Sequence, residues 1–120
     1  MPYGHDDATW EQAKEDARAV IAERARVRGM IPYSELVSGI HAIQFDPHDA
    51  QLFHLLGEIS KEEDEAGRGM MTALVVHKYG DMEPGPGFFE LAQELGRNAS
   101  DVTKCWIEEC KVVHAAWAQT

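Results

Sequence analysis

His54, Glu58 and Glu62 stand at steps of four residues, a spacing that stacks all three on one ridge of an α-helix. An imidazole with two carboxylates suits zinc, manganese or iron, and Glu58 with Glu62 could exchange protons as acid and base. A single helix rarely completes a metal site, so His41 or His77 would have to converge on that ridge. The alternative is a solvated helix face, and no metal or cofactor is expected. Arg68 lies between Gly67 and Gly69. A guanidinium on such a turn suits a carboxylate or phosphate, with Glu63, Asp64 and Glu65 as competing partners from its own chain. Phe88 and Phe89 follow Pro84-Gly85-Pro86-Gly87 and can serve as core or as an aromatic platform. His77 and Lys78 close the apolar run before that loop. Arg68, His77, Lys78, Phe88 and Phe89 are thus the expected partner- or ligand-binding residues.

Other chemistry is poorly represented. Cys105 and Cys110 are five residues apart in a helical segment, so they point about 140° apart. They cannot form a disulfide within that helix and make a poor metal pair, and they read as small, half-buried apolar residues. Ser34, Ser38, Ser60 and Ser100 lie in cap or helix contexts, without the glycines of a nucleophile elbow. Gly85-Pro86-Gly87 lacks the third glycine and the lysine of a phosphate-binding loop. Catalysis is not the expected role.

The elements that must position these residues form one small domain of 120 residues. At 44% hydrophobic the chain is too apolar for a disordered acidic tail, and it contains no run long enough to span a membrane. With 21 acidic and 11 basic residues the net charge is −10, which opposes binding to a phosphate backbone. The charge is uneven: residues 46–65 carry seven acids and one base, whereas residues 1–29 carry six acids and five bases. Met1-Pro2-Tyr3-Gly4-His5-Asp6-Asp7 has neither a basic nor an apolar signal region, and the cysteines are unpaired, so a cytoplasmic location is expected.

Residues 1–8 read as a flexible N-terminus and 9–120 as the single domain. Thr9 and Gln12 have capping-box spacing, and Trp10, Ala13, Ala17, Val20, Ile21, Arg24 and Val27 share one face of a helix over 10–28, stopped at Gly29. Residues 30–32 are an extended link. Residues 33–41 are a short helix with Leu36, Val37 and Ile40 inward. Asp46 caps and Pro47 opens a helix that ends at Ala66 before Gly67, with Leu52, Leu55, Leu56 and Ile59 inward. Residues 71–78, bounded by Gly69 and Gly80, form the best strand candidate. Residues 80–87 are a loop, 88–95 pair as a strand or coil as a helix ending at Gly96, and Asn98 or Ser100 caps a last helix carrying Val102, Trp106, Val113 and Trp117. The expected fold is helix-rich α+β: four to five helices with a small β-hairpin, in an order that matches a winged helix with residues 80–87 as the wing.

The turn Gly67-Arg68-Gly69-Met70, the run that follows it and Pro84-Gly85-Pro86-Gly87-Phe88-Phe89 resemble a family of small uncharacterised bacterial proteins. That family shares a Gly-Arg-x-Met turn and a Pro-Gly-x-Gly-Phe-Phe loop, and the resemblance covers residues of about 52–117. It implies no activity. Leu91, Ala92, Leu95, Gly96, Val102 and Cys105 also have helix-turn-helix spacing, but Arg97 stands where an apolar residue is usual. The reading face would offer Ser100, Asp101, Thr103, Lys104 and Glu108, whose charges, with Arg97, Lys111 and Glu109, cancel. The preferred reading is a non-catalytic protein-interaction or regulatory module of a bacterial cytosol, with a protein partner or self-association and no membrane. Its exposed surfaces would be the acidic helix and the glycine–proline loop, and the nearby Met70, Met71 and Met82 read as core filler or as an adaptable contact surface. A DNA-binding regulator and a small metal-dependent hydrolase are the alternatives.

Overall fold

The computed structural model describes residues 4–77 and 84–118. In order they form α1 (Asp7–Arg26), β1 (Ile31–Pro32), α2 (Tyr33–Ser38), α3 (Ala50–Glu65), a 3-10 turn (Met71–Leu74), β2 (Val75–Val76), α4 (Pro86–Glu94) and α5 (Val102–Trp117). The fold is helix-rich α+β, as expected. Helix faces follow the apolar spacing closely. α1 buries Trp10, Ala13, Ala17 and Ile21, and α3 buries Leu52, Leu55, Leu56 and Ile59. Val27 departs from its expected face and is 73% exposed, because α1 ends one residue before it.

Helix ends are set by local chemistry. Gly67 and Gly96 adopt left-handed backbone (φ 82° and 92°) after α3 and α4, and the next residues bond back, Arg68 N–H to Glu63 O and Arg97 N–H to Ala92 O. These are six-to-one closures that L-residues form poorly and glycine forms readily. The starts lie elsewhere than expected. Asp6, not Thr9, caps α1 by accepting from Thr9 N–H at 2.7 Å, which brings residue 7 into the helix. Asp49, not Asp46, caps α3, and Asp101, not Asn98 or Ser100, caps α5. In each case a nearby second Asp, Asn or Thr matched the capping pattern equally well.

The strand expected over residues 71–78 is mostly the 3-10 turn, with only Val75–Val76 extended. This segment crosses the middle of the domain, wedged among α1, α3 and α5, and its residues from Met70 to Val76 are all buried. Helices offer no ladder to its backbone, so side chains satisfy it instead. Glu109 accepts from Met70 N–H at 2.8 Å, Ser60 Oγ accepts from Thr72 N–H at 3.3 Å, and the Trp106 indole donates to Ala73 O at 2.8 Å. Met70 and Met71 are therefore core, not contact surface.

β2 pairs with β1, and the pair is parallel, Ile31 opposite Val75 and Pro32 opposite Val76. A hairpin joins only antiparallel strands, so the expected hairpin is replaced by a two-residue parallel bridge between distant segments. Where a wing would send back its second strand, the chain is already helical, with Pro86 at the start of α4. The winged-helix arrangement gains no support from these elements.

Candidate functional site

The parallel register has a local consequence. Tyr33 follows β1 and His77 follows β2, so the two leave the bridge side by side with ring centroids 5.2 Å apart. The start of α4 closes over them, where Gly85 N–H donates to Tyr33 Oη at 3.2 Å. Beyond this pair lies a cavity of about 310 Å3, with apolar walls from Phe53 and Leu56 of α3 and Phe88 and Leu91 of α4. Phe53 meets Tyr33 edge to face at 5.8 Å. Thr72 also reaches the lining, but its hydroxyl is shared with Ser60.

Three of the lining residues are glycines: Gly57, Gly85 and Gly87. Gly57 is in the interior of α3, where glycine costs about 1 kcal/mol relative to alanine. Packing does not require it, since a Cβ built there would meet only Leu91 Cδ2, at 4.0 Å. A Cβ built on Gly85 would lie 3.6 Å from His77 Nε2 and 3.7 Å from Tyr33 Oη. The imidazole and the phenol therefore border one spot. Burial pushes the Tyr33 phenol above its ordinary pKa, against the weaker pull of the Gly85 N–H, so the hydroxyl keeps its proton.

Of the expected binding residues, His77 and Phe88 line this cavity and Phe89 packs edge to face on Phe88 at 5.2 Å. Lys78 lies outside the described residues, as does Met82. Arg68 is elsewhere, beyond the C-terminal end of α3. It is held fork to fork by Glu63, with both bonds at 2.8 Å, and its guanidinium lies 5.6 Å from the Trp117 ring centroid. The competing partner from its own chain has taken the anchor that an external ligand was expected to use.

The histidine–glutamate ridge on α3 is engaged too. His54 bonds Glu58 at 3.0 Å, Glu58 accepts from the Trp10 indole at 2.8 Å, and Glu62 takes Lys14 at 2.6 Å and Arg18 at 2.7 Å. Neither His41 nor His77 joins them; among the described residues no group of three or more His, Cys, Asp and Glu side chains is placed to hold a metal ion. The ridge instead docks α1 onto α3 through Lys14, which is only 4% exposed. Burial works against the Lys14 charge, but the hydrogen bonds it donates to Glu62 and Glu11 outweigh it and raise its pKa. Burial likewise works against Glu58 and Glu62, yet Trp10 and Lys14 for the first, and Lys14 and Arg18 for the second, hold both below the ordinary 4.5.

Depressed carboxylates add stability that is complete above the unfolded pKa and drains away as pH falls through the folded value. The urea midpoint should therefore hold from neutrality to about pH 5 and decline below it. Lys14→Met should make that decline shallower. A midpoint unchanged between about pH 5 and pH 3 in the parent protein would contradict the assignment.

Two features escaped sequence reading. Arg97, which spoils the helix-turn-helix pattern, joins Asp64 at 2.5 Å and Glu109 at 3.0 Å, so a charge on that linker belongs to a partly buried junction. Tyr33 and Gly57 also went unnoticed, although a glycine inside the run Leu55-Leu56-Gly57-Glu58-Ile59 was a signal. Neither a protein-family model, nor a curated protein, nor a solved structure matches this chain.

Proposed function

We propose that this chain is a non-catalytic binding module of regulatory type, acting in a bacterial cytosol, and that the cavity beside Tyr33 and His77 is its recognition site. The observation that carries this reading is the apolar cavity of about 310 Å3 with a few convergent polar groups, the usual character of a site for small molecules or single side chains. The charge pattern supports binding over nucleic-acid contact. Lys14, Arg18, Arg24, Arg68 and Arg97 are all paired with carboxylates, and on the outer face of α5 Lys104 and Lys111 alternate with Asp101 and Glu108. The apolar residues exposed on α5 offer a poorer docking surface. Val102, Ile107 and Val112 are all exposed but follow one another at steps of about 140° around the helix.

The test is a titration with indole followed by amide chemical shifts. Changes should concentrate at Phe53, Gly57, His77, Gly85 and Leu91, should vanish in Gly57→Leu, and the indole should be recovered chemically unchanged. Shifts confined to α5, or conversion of the probe, would defeat the proposal.

A further inference from the structure

The cavity has a polarity that narrows what it can hold. Its walls are mostly hydrocarbon and aromatic ring, and two polar groups, those of Tyr33 and His77, meet beside Gly85. There the Tyr33 oxygen already accepts the Gly85 N–H, and among the described residues nothing takes the hydroxyl's own proton. The His77 ring faces the same spot, its nitrogens without a hydrogen bond among the described residues, and its Nε2 is 3.6 Å from where a Gly85 Cβ would be. With its proton on Nε2 the imidazole sets an N–H beside the phenol O–H, and such a pair is matched by an oxygen acceptor, not by another donor. On the α3 side of the cavity Gly57 leaves the backbone bare toward Leu91, space that a flat ring can fill and a bulkier side chain would occupy. A volume of about 310 Å3 is at the small end for ligand pockets, so the occupant has one ring system and a short substituent. The net charge of −10 weighs against an anion.

Resting on the binding-module reading above, we propose that the cavity binds a neutral ring compound bearing one carbonyl-type oxygen, with the ring against Gly57 and Leu91 and the oxygen accepting from Tyr33 and His77. An oxygen lacking from the ligand would leave two donors desolvated without a partner, a loss of about tenfold in affinity.

Acetophenone, ethylbenzene and benzoate serve as probes of nearly equal size, with affinities read from amide shifts of the full chain. Acetophenone is expected to bind about tenfold tighter than ethylbenzene and tighter than benzoate. Tyr33→Phe should lower the preference over ethylbenzene to about threefold, the His77 donor remaining, while leaving ethylbenzene binding within about twofold. His77→Leu provides the same comparison should loss of the Gly85 contact loosen the Tyr33→Phe protein. Gly57→Leu should abolish binding of all three. Equal affinity for acetophenone and ethylbenzene, or a preference for benzoate, overturns the carbonyl assignment and leaves the binding module standing. Failure of every probe to bind the parent protein, or undiminished binding to Gly57→Leu, overturns both.

Discussion

Glu109→Ala is expected to lower the free energy of unfolding by about 2–3 kcal/mol, since it removes a buried carboxylate that satisfies a buried backbone N–H and shares a partly buried guanidinium with Asp64. Glu109 is 4% exposed. One oxygen accepts from Met70 N–H at 2.8 Å, and both take the Arg97 guanidinium, at 3.0 and 3.1 Å. Truncation therefore orphans a buried backbone donor, unbalances a guanidinium and opens a gap beneath Gly69. That glycine is at φ 84°, and a Cβ there would stand 3.1 Å from a Glu109 oxygen and 2.8 Å from Val112 Cγ1. The carboxylate thus pins α5 to the segment entering the core. Asp64 and Glu109 together raise the pKa of Arg97 further, so the guanidinium cannot shed its charge to relieve the loss. Glu109→Gln keeps the shape and an acceptor for Met70 and should lose less. Replacing Arg97 and Glu109 together by methionine should recover part of the deficit, because the volume is refilled and the charge left behind, Asp64, is 26% exposed. Urea melts followed by tryptophan fluorescence measure all three, with Trp106 as a local reporter. A loss below about 1 kcal/mol for the alanine variant would show that the junction is not a stabilising contact.

Arg68→Ala is expected to cost about 2 kcal/mol through a carboxylate left inside the protein. Glu63 is 1% exposed, whereas the Arg68 side chain is 44% exposed. The arginine could return to water at little cost, but the glutamate could not. Without Arg68, the one cation left to Glu63 among the described residues is Arg18, whose Nε is 3.3 Å away and which is shared with Glu15 and Glu62. The diagnostic comparison is a double variant: adding Glu63→Met to Arg68→Ala should restore part of the stability lost. An Arg68→Ala protein with an unchanged midpoint would return Arg68 to the role of a free surface cation. Neither Arg68 nor Glu109 lines the cavity, so probe binding should survive in any of these variants that remains folded.

Much of the helical framework was legible beforehand because its causes are local. The leucines of α3 recur with helical period, and Gly67 and Gly96 close helices by a backbone geometry that needs no distant partner. The candidate site was legible only in part. His77 and Phe88 were marked by an apolar run meeting a glycine–proline loop, and both line the cavity. Arg68 and the α3 ridge were marked for ligands and instead hold the protein together. A carboxylate or guanidinium has the same local pattern whether it faces solvent, a metal or a neighbouring helix. Only the packing of α1 on α3 sends Lys14 and Arg18 to Glu58, Glu62 and Glu63.

Residues 71–76 mark the division. Their composition dictated burial, because an apolar run flanked by glycines leaves water in almost any fold. Whether they would form a ladder depended on what lay beside them. That was helices, with Ile31–Pro32 the paired extended neighbour, more than forty positions earlier in the chain. Tertiary structure alone chose a parallel bridge, and that choice set Tyr33 against His77. Periodicity and turn chemistry act over a few residues and can be read along the chain. Strand register, ion-pair partners and empty space arise between segments, and they exist only after the helices have packed.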